Sequence, residues 1–326
     1  MAGGEVKAEA LWYVGPGRAE IRAESLPPLA PGHVRVRTLY TALSRGTESL
    51  VAAGRVPESE HQRMRAPLMG GAFPFPVKYG YANVGRVEAG PPALIGKEVF
   101  SLAPHQTLFD LPEGMAVPLP DGVPASRAVL SANMETALNA MWDAEPEVGM
   151  KIAVVGAGVL GALVGFLATR LKGAEVTLVD INPARAEIAK AFGIGFAKPD
   201  DAPRDRHLVF HTSASAAGLA TALDLCADEA TVLELSWYGA GTVPVPLGGA
   251  FHSRRLKLIS SQVGKVAPSR RATHTYRKRL EEAMAQLVDK RLDVLLAEPV
   301  KFSALPARLP DIFAPQSGIL CQLITY

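Results

Sequence analysis

The chain has 326 residues, enough for two cores of ordinary size, and its charge is nearly balanced, with 34 Lys and Arg against 32 Asp and Glu for a formal net charge of +2. That balance, with no strongly basic run, argues against nucleic acid as a partner. Two cysteines, Cys226 and Cys321, exclude a disulfide framework or a zinc site of several thiolates, and the start of the chain lacks the basic, apolar and small-residue order of a signal peptide, so a cytoplasmic home is expected.

Residues 1 to about 125 are rich in Pro and Gly and carry short alternating segments, among them HVRVRTLYTAL, NVGRVEAG and KEVFSL, with almost no helical periodicity. They read as an all-β module. The most apolar stretch follows, IAVVGAGVLGALVGFLATR from Ile152 to Arg170, with glycines at 156, 158, 161 and 165. Roughly 18 apolar residues in a row are enough to cross a bilayer, and Gly161 and Gly165 have the spacing of packed membrane helices. The flanks point elsewhere. KIAVV is a β-branched run after the turn-like PEVG, GAEVTLVD is a second short strand ending in Asp180, and PARAEIAKAFG is a helix that Gly193 stops. Strand, Gly-rich turn, helix, strand and acid make a βαβ unit, so no membrane partner is expected.

In such a unit Gly156 permits the tight turn, Gly158 lets the backbone approach a pyrophosphate, and Gly161 lets the helix lie against the strand, while the open amides of the helix start face phosphate charge. Asp180, 19 residues after Gly161, is placed to accept both ribose hydroxyls of an adenosine and to repel a 2′-phosphate, which predicts NAD(H) rather than NADP(H). The alternation continues with the strand HLVFHTSAS, the helix AAGLATALDLCA, the strand ATVLELSWYG and the strand RLKLISSQVG, so a doubly wound parallel sheet is expected from about 150 to 265. A charged amphipathic helix, roughly THTYRKRLEEAMAQLVDKRL, and a last strand LCQLITY close the chain. This tail is too short to fold alone and is expected to return to the β module. The basic stretch SRRATHTYRKR reads as a solvated helix face.

The order of parts resembles the medium-chain dehydrogenase/reductase superfamily, the alcohol and polyol dehydrogenase group, over essentially the whole length. The likeness rests on ALSRGTES and KYGYANVGRV in the β module, the bridge ANMETALNA, the fingerprint VVGAGVLG with VDINPAR, and the ending FAPQSGILCQLITY. Within the superfamily, SRGTE and the short β module are similar to a threonine dehydrogenase-like branch that includes bacteriochlorophyllide hydroxyethyl dehydrogenase. The resemblance implies an α/β chain made of a GroES-like β-rich catalytic domain, residues 1–125 completed by 267–326, and a Rossmann domain over residues 126–266.

The resemblance does not carry the metal over. Zinc-dependent members place a Cys in the segment matched by Ser44-Arg45-Gly46-Thr47-Glu48, a His-Glu pair at Tyr81-Ala82 and a third ligand near Ser131-Ala132, and none of these is a thiolate or imidazole here. The lobe that holds a structural zinc is also missing. A zinc-independent enzyme is expected, in which Tyr81, at the position of the lost His, or His105, in the loop APHQ, relays the proton, with Glu48 orienting either group. A tyrosine that merely fills the vacated space, and a packing histidine, are the plain alternatives.

For the cofactor the resemblance implies Gly156, Gly158, Val159, Leu160 and Gly161 at the phosphate turn, Asp180, Ile181 and Arg185 at the adenosine, Thr136 beside the nicotinamide, and Ser236 in the strand end that meets the carboxamide. Ser44, Arg45, Glu48, Trp237 and Tyr238 are then candidates to meet a small-molecule substrate. The pyrophosphate cation that relatives often supply from the last strand is replaced by Gln322. Three functions remain open: an NAD(H)-dependent dehydrogenase of a bulky or cyclic secondary alcohol or ketone, a zinc-free reductase of enones or quinones, and a non-catalytic sensor of NAD(H). A homodimer joined through RRLKLISSQVG is expected, because that last strand would otherwise leave an apolar sheet edge.

Overall fold

Alternation in HVRVRTLYTAL sets the frame of the first unit: Val34, Val36 and Thr38 point inward, while Arg35 and Arg37 point out and pair with Asp110 and Glu88 on neighbouring strands. The computed structural model describes residues 6–326; residues 1–5, the first of the expected β module, lie outside the described residues. The chain divides into two units, one formed by the chain up to Ala132 with Leu287–Tyr326, the other by Asn133–Gln286.

In chain order the first unit carries β1 (Val6–Gly15), β2 (Arg18–Leu26), β3 (His33–Leu43), α1 (Arg45–Ala52), β4 (Gly70–Gly71), β5 (Val77–Lys78), β6 (Asn83–Ala89), β7 (Glu98–Ser101), β8 (Leu108–Pro112), β9 (Val117–Pro118) and α2 (Ala125–Ala128). One sheet runs β2-β1-β5-β4; a second centres on β3, which pairs with β6 and β8 around a core of Val34, Val36, Val87, Val99, Phe109 and Leu111. Helix α1 departs from the all-β expectation. It forms within SRGTES, where the Glu48 carboxylate reaches back to accept the Ser44 backbone N–H at 2.8 Å.

The second unit holds α3 (Ser131–Ala144), β10 (Lys151–Val155), α4 (Val159–Ala168), β11 (Glu175–Val179), α5 (Ala186–Phe192), β12 (Gly195–Ala197), β13 (Arg206–His211), α6 (Ala216–Leu225), β14 (Cys226–Glu234), β15 (Lys257–Ser260) and α7 (Tyr276–Ala285). Six parallel strands run in the order β12-β11-β10-β13-β14-β15, so the winding reverses between β10 and β13. The apolar run beginning at Ile152 is thereby split into a core strand, a turn and the buried helix α4. Among the described residues no helix is long and apolar enough to cross a membrane.

The tail adds β16 (Leu296–Lys301), α8 (Leu305–Phe313) and β17 (Cys321–Thr325) to the first unit, with β17 antiparallel to β3 in the register Gln322↔Leu43. Two stretches fall on the other side of the expected boundaries. Residues 267–286 stay with the second unit, because Arg279 of α7 is buried and needs Glu135 (3.0 Å) and Asn139 (2.6 Å) of α3. Residues 126–132 belong to the first, where Arg127 makes two 2.7 Å bonds to the Asp293 carboxylate.

Candidate functional site

The turn after β10 needs glycine at two positions. Gly156 has φ +102, and a Cβ there would lie 2.7 Å from the Ser213 nitrogen. At Gly161 a Cβ would lie 1.9 Å from the Gly156 carbonyl oxygen. Thr212, just after β13, donates to that same carbonyl at 2.7 Å and fixes the turn against the neighbouring strand. Gly158 caps α4 without a side chain, and Val159 and Leu160 begin the helix half-buried, so backbone amides rather than side chains form its start.

Asp180 follows β11 and closes this turn from the other side. Its Oδ2 accepts the Ala157 N–H at 2.7 Å and its Oδ1 the Asn182 N–H at 2.8 Å. Each carboxylate oxygen keeps a further lone pair for a sugar hydroxyl. Beside it Ile181 is 82% exposed, a bare apolar face next to a carboxylate. The half-buried Arg185 has its pKa lowered by desolvation, with the charge of Asp180 opposing that shift. Thr136 is half-buried on α3. These residues fit a dinucleotide in kind: a tight turn crowded at Gly156 and Gly161 and open at Gly158, open amides, and an acid at the second strand end.

Across the switch point, the carboxyl ends of β13 and β14 carry a polar cluster that joins the expected Ser236 and Tyr238 to His211, Ser213 and Glu234, which sequence reasoning missed. His211 Nδ1 lies 2.7 Å from Glu234 Oε2, and His211 Nε2 lies 2.7 Å from Ser213 Oγ. Glu234 also accepts the Ser236 N–H at 2.7 Å and the Tyr238 hydroxyl at 3.0 Å. Burial pushes the Glu234 carboxyl up, but hydrogen bonds from His211 and Ser236 outweigh it and leave its pKa lowered. Burial and the Glu234 charge raise the pKa of Tyr238. Ser236 Oγ accepts the Ala214 N–H at 3.0 Å, and Trp237 is half-buried. The signal was available in the sequence: a His and a Glu end strands that are otherwise the near-continuous apolar runs of a parallel sheet.

In the first unit a string of polar groups runs through buried space. Tyr326 and Thr41 join hydroxyl to hydroxyl at 2.9 Å, Thr41 Oγ1 lies 2.8 Å from His105 Nδ1, His105 Nε2 lies 2.9 Å from Glu48 Oε2, and the Tyr13 hydroxyl donates to that oxygen at 3.3 Å. His105 is fully buried with both ring nitrogens engaged, so it meets nothing at the surface and acts only through its neighbours. Tyr81 belongs to a different string. It is half-buried, packs edge-on against Tyr79 at 6.0 Å, and bonds Ser44 and Thr47. Burial first, then the Glu48 charge, push its pKa up to about 12. The two expected relay residues make no hydrogen bond to each other among those described and are linked through Glu48 and Tyr79. Arg45 is spent on the backbone, donating to the Ala314 carbonyl at 2.9 Å and to that of Ile319. Gln322 is buried and donates to the Glu298 and Leu323 carbonyls.

A metal does not fit the residues at the family's zinc positions. Ser44 and Tyr81 offer neutral hydroxyls, Ser131 donates its hydroxyl to the Ala128 carbonyl at 2.6 Å, and the nearby Glu48 and His105 are tied to each other. Among the described residues no group of three His, Cys, Asp or Glu is arranged to hold a metal ion.

Comparison with known proteins gives a consistent picture of the fold. No family model matches the chain. Alcohol dehydrogenase-like 2 of Arabidopsis thaliana is 42% identical over 69 residues, which cover 21% of this chain and 18% of that protein. L-idonate 5-dehydrogenase from Escherichia coli K-12 superposes with a TM-score of 0.80 at 13% identity, covering 99% of both chains. An alcohol dehydrogenase from E. coli CFT073, solved with NADH, superposes with a TM-score of 0.77 at 16% identity over 98% of this chain and 99% of that one.

Proposed function

We propose that this chain, which has the fold of the medium-chain dehydrogenase/reductases, is an NAD(H)-dependent oxidoreductase that works without a resident zinc and interconverts a secondary alcohol and its ketone. The observation that carries the reading is Asp180, a carboxylate at the end of the second strand that is hydrogen-bonded to Ala157 inside the glycine turn. In that position it favours two free ribose hydroxyls over a 2′-phosphate. One structural neighbour holds NADH and another holds NADP, which supports a nicotinamide cofactor, while the choice of NAD(H) rests on Asp180.

The turn at Gly156, Gly158 and Gly161, with the first amides of α4, would hold the pyrophosphate; Asp180, Ile181 and Arg185 would hold the adenosine. When bound, the nicotinamide supplies a hydride acceptor or donor. Tyr81 remains a phenol up to about pH 12 and so serves as a hydrogen-bond donor that orients the substrate oxygen. The aromatic pair Trp237 and Tyr238 favours a bulky or cyclic substrate.

Calorimetric titration of the intact chain tests this. NADH binding at least about tenfold tighter than NADPH is expected, about 1.4 kcal/mol. Equal affinities would mean that Asp180 does not face the ribose. Metal analysis returning about one zinc per chain would overturn the zinc-free part.

A further inference from the structure

We infer that Ser213, His211 and Glu234 form the proton relay of this enzyme, with Ser213 Oγ exchanging a proton with the substrate oxygen and the His211–Glu234 pair holding it. The inference rests on the NAD(H)-dependent reading above and deepens it. In a sheet wound in this order a dinucleotide lies along the carboxyl ends of the strands, its two halves on either side of the switch point. Asp180 marks the side of β10, β11 and β12; His211 and Glu234 end β13 and β14 on the other.

The geometry is that of a relay rather than of a packing contact. Glu234, held ionised by its donors, accepts the Nδ1–H of His211, which leaves Nε2 free to accept from Ser213 Oγ at 2.7 Å. His211 is fully buried between two partners that are not, the half-exposed Ser213 and Glu234, whose side chain is 15% exposed, so the imidazole reaches solvent only through them. Space for it is made by Gly218 of α6, where a Cβ would lie 2.0 Å from Ser213 Oγ and 2.9 Å from His211 Nε2. A fully buried imidazole paired with a partly buried carboxylate is costly beside the apolar residues that end ordinary core strands, so its presence at the strand ends asks for a chemical role.

The step balances. In the oxidative direction the substrate O–H bond breaks as its proton passes to Ser213 Oγ, the Ser213 proton passes to His211 Nε2, and the C–H electron pair leaves with its hydrogen to the oxidised nicotinamide. Reduction reverses each transfer. His211 begins oxidation neutral and ends it as an imidazolium paired with Glu234.

Nicotinamide in its oxidised form is a cation, so it binds better beside neutral His211 than beside the imidazolium. A histidine is the side chain that exchanges charge between about pH 5 and 8. The groups facing His211 are Glu234 and Tyr238, with the hydroxyls of Ser213, Ser215 and Ser236. Of these only Glu234 carries charge in that range.

The test titrates the intact chain with NAD+ and with NADH from pH 5.5 to 8.5, in two buffers of different ionisation enthalpy so that protons are counted. NAD+ affinity should rise at least about tenfold across the range, with protons released as NAD+ binds, while NADH, neutral at its ring, shows less than about a threefold change. His211→Asn should abolish the proton release. Glu234→Gln, which removes the charge and keeps the shape, should move the midpoint of the NAD+ dependence to lower pH. NAD+ binding without proton release in the unmodified chain, release that survives His211→Asn, or a midpoint unmoved by Glu234→Gln would each overturn the relay. Failure to bind either nucleotide at any pH would instead remove the NAD(H) reading, and this inference with it.

Discussion

His105 and Glu48 meet at 2.9 Å with both side chains only 1% exposed. A pair buried this deeply is held by its surroundings: Thr41 takes the other ring nitrogen, while Tyr13 and the Ser44 N–H serve the carboxylate. Removing one partner leaves the other buried without compensation. His105→Ala should therefore destabilise the chain by about 3–5 kcal/mol, read as a fall in denaturant midpoint. A loss below about 1 kcal/mol would mean that the first unit does not depend on the pair.

Asp180 does two things at once, carrying a charge and tying Ala157 N–H and Asn182 N–H. Asp180→Ala removes both, so it should weaken NADH as well as narrow or invert the preference over NADPH. Asp180→Asn removes the charge but keeps one of the two acceptors, so it disturbs the turn less than Asp180→Ala; it should shift the NADH to NADPH affinity ratio by about tenfold or more. A ratio unchanged in both variants would detach this acid from cofactor choice.

Burial pushes the thiols of both Cys226 and Cys321 up to about 12, with Glu48 adding to the shift at Cys321. The thiolate is the reactive form, so neither is reactive near neutral pH. A thiol reagent such as DTNB should count no cysteine in the native chain and two after unfolding in guanidinium. One fast-reacting thiol under native conditions would contradict this burial.

Much of the second unit was legible because its signals are local. KIAVV, the glycine spacing and Asp180 each follow from short-range rules, and the structure adds β12, whose three residues are too few to show a pattern. What stayed hidden depends on strand neighbours. His211 and Glu234 are 23 residues apart and meet because β13 and β14 lie side by side in register, a pairing that no single segment announces. Helix α1 was hidden for a different reason: Glu48 folds it from within a glycine-containing loop by a bond to Ser44. Likewise the tail was split by one residue, Arg279, whose carboxylate partner lies 144 positions earlier.

The sheet of the second unit ends in β15, where Leu258 and Ile259 remain 38% and 43% exposed on an edge strand. An edge of this kind pairs readily with a second copy of itself across a two-fold axis. A homodimer is the expected state, and light scattering at micromolar concentration should return twice the chain mass. Ile259→Lys should shift that mass toward one chain; a monomer in the unmodified protein would remove the dimer.

Tyr81 and the His211 relay make separable contributions under the proposed reaction. With its pKa near 12, the Tyr81 hydroxyl keeps its proton throughout the usual assay range, so it adds no break to a pH–rate profile between 6 and 9. Its expected role is a hydrogen bond to the substrate oxygen, strongest as charge develops there. Tyr81→Phe should therefore keep the fold and the NADH affinity, lower kcat about 100-fold, and leave the shape of the pH profile as it was. His211→Asn should instead change that shape. The screen that supplies a substrate offers bulky cyclic secondary alcohols, their ketones and quinones, with NADH followed by its absorbance. Turnover of quinones or enones alone would favour a reductase of activated double bonds over an alcohol dehydrogenase. Full activity in Tyr81→Phe would leave that ring as packing against Tyr79, filling the place where zinc-dependent relatives carry a histidine.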